Sequence, residues 1–406
     1  MTDPGVLIVG GSIAGVRTAE GLRRFSFEGA VTLLEEGTDL LYDRPALSKQ
    51  ILTADAGAES VMLRSQADLD GKRIDLRLGH RAVALDTGAR TVRLSDGSVI
   101  GYSDLVIATG AAPRRLPTAT ARGVHYLRTL RDALELRAAL TASSRVVVVG
   151  AGFIGSEVAA AAVAKTAGVT VVEPCAFPLG RALGDLVGER LARLHESKGV
   201  RLVLGRSVRG VDEDEAGGLR VVLDDGTALE CDVVVVGVGA APNVGWLAGS
   251  GLDVADGVVC DEFCRASAPG VHAVGDVARW PNALFAEPMR VEHWTNAVEQ
   301  AAVVAWNIAH PDRPRAYAPV PYVWSDQYGS RLQIVGRPGA GDEVRIVRDD
   351  PAENALVALY VRDECLSGAF GLNAPAQMLA LRRSLAARAS LEEVMAGFGG
   401  RALSGY

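Results

Sequence analysis

Two glycine-rich turns, each set between an apolar strand pattern and a helical pattern, constrain this chain more than any other feature. The first run is Val6-Leu7-Ile8-Val9, then Gly10-Gly11-Ser12-Ile13-Ala14-Gly15, a helical pattern through Arg24, and a strand Val31–Leu34 closed by Glu35 and Glu36. The second is a strand Arg145–Val149, then Gly150-Ala151-Gly152-Phe153-Ile154-Gly155, a helix to about Ala167, and a strand Val169–Val172 ending at Glu173. Acid follows first glycine by 25 residues in one copy and 23 in the other, close to the roughly 20 of a dinucleotide-binding unit. Glycine lets backbone approach a pyrophosphate, the helix N-terminus offers free N–H groups, and the acid accepts from ribose hydroxyls. One such turn is weak evidence. Two in full strand–helix–strand context predict two dinucleotide domains built on parallel sheets. Ser12 replaces the middle glycine of the first copy.

Other segments show how the two units interleave. Asp104–Gly110 is a strand ending in the small-residue turn Ala108-Thr109-Gly110, and Asp232–Gly239 repeats it with Val236-Gly237-Val238-Gly239. A further short strand, Gly270–Asp276, ends in Gly275-Asp276. Thr91–Leu94 and Arg220–Leu223, each followed by Asp-Gly, read as hairpins in matching places. The simplest parse inserts one nucleotide domain, 113–242, into another formed by 1–112 and 243–318. Residues 319–406 then form a C-terminal α+β domain with alternating strands and a closing helix over about Ala374–Ala387. The fold class is α/β, with two interleaved Rossmann-like dinucleotide-binding domains and that C-terminal domain.

Composition removes several function classes. The chain has 406 residues, enough for two or three domains, with 49% hydrophobic and 22% charged residues. A net charge of −7 disfavours nucleic acid as a partner. No apolar run approaches the ~18 residues of a membrane span. Met1-Thr2-Asp3-Pro4 lacks the basic start of a secretory signal, so a cytoplasmic location without membrane association is expected. Five scattered cysteines without a Cys-x-x-Cys argue against a disulfide framework or a metal site. Among 42 basic residues only Lys49, Lys72, Lys165 and Lys198 are lysines, so each invites the question of what a compact ammonium does there.

The residues also resemble a known family along nearly the whole chain. The two glycine turns, Tyr42-Asp43-Arg44-Pro45-Ala46-Leu47-Ser48-Lys49, Ala108–Gly110, Val274–Trp280, Glu292–Ala297 and Trp324-Ser325-Asp326-Gln327-Tyr328 are similar to the FAD-dependent NADH:ferredoxin reductases. These are the putidaredoxin reductase-like flavoproteins of P450 and aromatic-ring dioxygenase systems, with a glutathione-reductase-like architecture. The resemblance implies non-covalent FAD, NAD(H), and electron transfer to a [2Fe–2S] ferredoxin. The alternative it leaves open is an NADH oxidase or quinone reductase with a small diffusible acceptor. A redox-gated signalling protein like apoptosis-inducing factor would want a basic surface and a targeting segment, and neither is evident.

Carried over by position, Gly10, Ser12, Ile13, Ala14, Gly15, Glu35 and Glu36 would hold the ADP half of FAD, with Val83 at the adenine through its backbone. Arg44, Lys49 and Arg128 would lie along flavin and pyrophosphate, Ala108, Thr109 and Gly110 beside them. Gly275 and Asp276 would meet the ribityl chain, and Glu292, His293 and Trp294 the isoalloxazine. Gly150, Gly152, Phe153, Ile154, Gly155 and Glu173 would take NADH. Val236, Gly237, Val238 and Gly239 would line its nicotinamide half, and Trp324 would close over it. Lys49, held by Glu157, would be the catalytic cation. Disulfide reductases and NADH peroxidases of this fold need cysteine in the stretch Tyr42–Lys49, and the first cysteine here is Cys175. The partner would be an acidic ferredoxin facing Arg313, Arg315, Arg331, Arg337, Arg345 and Arg348, and the chain itself a monomer or weak homodimer.

Overall fold

Continuous valine runs need burial on both faces, and parallel sheets covered by helices provide it. In the computed structural model, residues 4–53, 57–119, 121–213 and 218–399 are described; the leader reading at Met1–Asp3 lies outside them. By contacts the chain divides into one unit of Met1–Asp43, Glu59–Ala112 and Ala241–Pro321, and a second of Arg44–Ala58, Pro113–Ala240 and Tyr322–Tyr406.

The first unit holds a five-stranded parallel sheet, in the order Val271–Ala273, Asp104–Ile107, Val6–Val9, Val31–Leu34, Asp75–Arg77. Helix Ile13–Arg24 follows its central strand and packs on helix Trp294–Ala309. They approach closely because a Cβ on Gly21 would lie 2.7 Å from that of Ala305. Leu7, Ile8, Leu33, Val106 and Trp280 are among the buried core.

The second unit repeats the plan. Its parallel sheet runs Arg201–Leu204, Gly168–Glu173, Arg145–Val149, Val233–Val236, Val124–Tyr126. The outermost strand precedes the glycine turn in sequence here, whereas its counterpart in the first unit comes last. Helix Phe153–Ala162 is shorter than expected and ends before Ala167. The third part of this unit is a five-stranded antiparallel sheet in the order Tyr322–Gln327, Ser330–Gly336, Cys365–Leu372, Ala355–Arg362, Glu343–Asp350. Helices Pro375–Ala386 and Leu391–Ala396 follow it. Its core, with Tyr360, Phe370 and Leu332, is shared with Leu183, Val187 and Leu191 of helix Gly180–Ser197. Among the described residues no helix is long and apolar enough to cross a membrane.

Candidate functional site: two glycine cradles and a lysine on a buried glutamate

The two glycine turns have the same construction. Gly10 and Gly150 have φ of +113° and +99°. A Cβ on Gly10 would come within 2.3 Å of Ala108 O, and one on Gly150 within 2.5 Å of Gly237 O. The turns Ala108–Gly110 and Gly237–Gly239 therefore press on the first glycine of each copy. Each acid is then oriented by backbone: Glu35 accepts from Gly11 N at 2.7 Å and Gly37 N at 3.1 Å. Glu173 accepts from Ala151 N at 2.7 Å and Cys175 N at 3.0 Å. A carboxylate has about four acceptor sites, so each acid keeps capacity for a ribose.

These residues fit dinucleotides. Helices Ile13–Arg24 and Phe153–Ala162 start at Ser12 and Gly152 without a side-chain cap, and neither has an acid in its first turn. Their N-termini suit a phosphate in both charge and geometry. Gly152 has φ −74°, which any residue adopts, and a Cβ there would meet nothing within 4 Å. Protein packing therefore does not require glycine at 152. Ile154 and Val238 are exposed apolar side chains beside this turn. Arg44 Nε is buried with no hydrogen-bond partner among the described residues, as an anion-binding guanidinium would be.

The other expected residues of the first unit fall in five groups. Gly275 has φ +75°, and a Cβ on it would lie 3.1 Å from that of Ala14, so the Gly275-Asp276 turn meets the first glycine turn. Gly275 N donates to Gln300 Oε1 at 2.8 Å. Thr109 and Asn243 exchange two 2.9 Å bonds. Trp294 Nε1 donates to Asp43 Oδ1 at 2.9 Å, while Glu292 is tied to Arg290 at 2.6 Å and His293 precedes the Trp294 helix without a side-chain cap bond. Val83 stands at a register shift between Ala82 and Ala84, which leaves its backbone outside the regular ladder. Glu36 is exposed and faces Arg81 at 3.5 Å.

In the second unit, Lys49 Nζ donates to Glu157 Oε1 at 2.7 Å. Glu157 is buried, and it also accepts from Ser48 Oγ and from Ser325 Oγ at 2.6 Å. Gln327 Nε2 donates to Ser325 Oγ at 3.1 Å, so the Ser325 hydrogen is left for Glu157. Strand alternation puts Ser325 on the face opposite Trp324, whose ring lies 6.1 Å from Tyr322 at an interplanar angle of 27°. Arg128 N donates to Asp132 Oδ2 at 3.0 Å at the start of helix Leu130–Ala139. Sequence reading singled out Lys49 and Glu157 but missed the roles of Ser48, Ser325, Gln327, Gln300 and Asn243. Except for Gln327, which bonds Ser325 two residues away, their partners lie 25 or more residues off in the chain, so spacing carried no signal for them.

The arginine-rich stretch is partly paired within itself. Arg331 pairs with Asp326 at 2.8 Å, Arg345 with Glu343 at 2.7 Å, and Arg348 with Glu353. Arg315 lies 3.4 Å over the Trp306 ring. Three of the six arginines thus carry a carboxylate partner, and of those partners only Glu353 lies beyond the 313–348 stretch.

All five cysteines are free thiols, and none is near the start of the chain. Burial pushes Cys231 and Cys264 up to about 12, so neither forms a thiolate near neutrality.

Residues 4–301 match the pyridine nucleotide-disulphide oxidoreductase family, and residues 322–397 the reductase C-terminal family. The chain belongs to the pyridine nucleotide-disulphide oxidoreductases. It is 41% identical, over 95% of both chains, to the ferredoxin–NAD(+) reductase component of the anthranilate 1,2-dioxygenase system of Burkholderia cepacia. Rhodocoxin reductase of Rhodococcus erythropolis is 37% identical, over 94% of this chain and 89% of its own. Among solved structures, the covalent putidaredoxin reductase–putidaredoxin complex matches with a TM-score of 0.92 and 32% identity, over 99% of this chain and 100% of that one. The chain is an oxidoreductase of this family, and its cofactors are FAD and NAD(H).

Proposed function

We propose that this flavoenzyme carries electrons from NADH through non-covalent FAD to a [2Fe–2S] ferredoxin that serves a P450 or a ring-hydroxylating dioxygenase. Bound FAD would supply the hydride-accepting and single-electron chemistry. The chain binds, orients and neutralises. On this reading 1–112 and 243–318 hold FAD, 113–242 holds NADH, and 319–406 forms the C-terminal domain. Glu35 and Glu173 anchor the two adenosine riboses, and the uncapped helix starts at Ser12 and Gly152 receive the pyrophosphates. Val83 offers backbone groups to adenine; Arg44 and Arg128 offset phosphate charge. Asp276, Glu292, His293 and Trp294 serve the flavin end, and Val236–Gly239 with Trp324 the nicotinamide end. Lys49, fixed by Glu157, supplies positive charge where negative charge accumulates on reduction. The protein works in the cytoplasm as a monomer or weak homodimer.

The observation that carries this reading is the buried Glu157 gathering Ser48, Lys49 and Ser325 in a chain with no cysteine before Cys175. The position that thiol enzymes of this fold give to cysteine chemistry here serves to hold a cation. Whole-chain likeness to ferredoxin reductases supports the same partner class. NADH-driven cytochrome c reduction tests it: the rate should depend on added ferredoxin. Equal rates without ferredoxin would favour a small diffusible acceptor.

A further inference from the structure

The internal repeat gives each residue at the ribose end of one unit a counterpart in the other. In the first unit Gly79 N donates to Gly37 O at 2.8 Å, and His80 N to Glu35 O at 2.9 Å. In the second, Gly205 N donates to Cys175 O at 3.0 Å, and Arg206 N to Glu173 O at 3.2 Å. Both glycines are left-handed, with φ of +73° and +68°. Arg206 therefore stands where His80 stands, on the strand end beside the ribose acid. Neighbouring strands lie roughly 4.8 Å apart, and an extended arginine side chain reaches farther than that. A guanidinium at 206 thus commands the space that Glu173 addresses.

That guanidinium is held elsewhere. Arg206 Nε pairs with Asp225 Oδ2 at 2.8 Å, and Nη1 faces Gly205 O at 3.4 Å. Asp225 sits in the turn between strands Leu219–Leu223 and Ala228–Cys231, where its Oδ1 accepts from Thr227 N at 2.9 Å. A further cation, Arg181, has its Nε on Cys175 Sγ at 3.4 Å. Arginine binds phosphate strongly through paired, charge-assisted hydrogen bonds. A released Arg206 would offset the repulsion between Glu173 and a 2′-phosphate.

We infer that Asp225 is a specificity-determining residue: by retaining Arg206 it denies a 2′-phosphate its cation and so restricts the site to NADH. This rests on the NADH reading above. Binding of NAD+ and NADP+ to the oxidised, FAD-loaded protein, measured by calorimetry, tests it without turnover. Asp225→Asn keeps an acceptor for Thr227 N–H and releases the charge pair. It should tighten NADP+ about tenfold, equivalent to about 1.4 kcal/mol, and leave NAD+ within about twofold. Arg206→Ala in the Asp225→Asn background should abolish the gain. An unchanged NADP+/NAD+ ratio in Asp225→Asn, or a gain that survives Arg206→Ala, would overturn the inference while leaving the NADH reading intact. A wild-type protein that binds neither NADH nor NAD+ would overturn both.

Discussion

Lys49 is one of four lysines in a chain that otherwise uses arginine, and it alone of the four is placed on a buried carboxylate, Glu157, at 2.7 Å. We predict that Lys49→Met stays yellow but is reduced by NADH about a hundred- to a thousandfold more slowly, since removing one preorganised charge-stabilising donor costs on that order. Anaerobic stopped-flow mixing reads the rate; an unchanged rate would leave Lys49 a structural role. Glu173→Ala should narrow the preference for NADH over NADPH, read as the ratio of kcat/KM values, because it removes the anion facing the 2′ position. A ratio that stays fixed would locate specificity elsewhere. His195 makes a prediction about stability. Its ring is buried against Tyr328, with Nδ1 at 2.6 Å from the hydroxyl, and burial depresses its pKa to about 4. The unfolded chain protonates near 6.5, so it binds more protons than the folded state between those values. The contribution is therefore complete above about pH 6.5 and lost as pH falls toward 4, about 3 kcal/mol in all. His195→Gln should flatten that acid limb in urea titrations at pH 7 and pH 5; identical slopes would contradict it.

The glycine turns make opposite predictions at two positions of one motif. Gly10→Ala drives a Cβ into Ala108 O at a φ of +113°, so the protein should lose FAD and stability together. Gly152→Ala meets open space at φ −74°, so its Tm should stay within a few degrees while NAD+ binding weakens. Thermal melts beside NAD+ titrations separate the cases, and a Gly152→Ala protein that binds NAD+ normally would remove the pyrophosphate from that turn. These turns, with the strands and acids around them, were legible because periodicity and glycine spacing report local geometry directly. Helix Gly180–Ser197 was not legible, since Gly184 breaks it with φ +70° and Gly180 and Gly188 dilute its pattern. Strand Cys365–Leu372 carries Gly368 and Gly371, and helix Leu391–Ala396 is only six residues long, so neither gave a clear period. Asp225 and Arg206 were invisible for a different reason: parallel pairing of Gly168–Glu173 with Arg201–Leu204 brings residue 206 beside residue 173.

For the whole molecule, the repeated sheets explain how one chain can carry two dinucleotides, and the first cysteine comes only at residue 175. The net charge of −7 acts weakly on a docking partner beyond a Debye length of about 8 Å at physiological salt. On the proposed function, recognition of a ferredoxin would come from local contacts rather than from overall charge. FAD should leave the polypeptide on acid precipitation; yellow protein in the pellet would instead mean a covalent link, with His293 the candidate. The most direct test of the account mixes NADH-reduced protein with oxidised [2Fe–2S] ferredoxin under argon and follows both chromophores. The account predicts that flavin colour returns as the ferredoxin bleaches, at a rate set by ferredoxin concentration. A flavin that stays reduced beside an unchanged ferredoxin, yet reoxidises promptly with quinone or dioxygen, would contradict it.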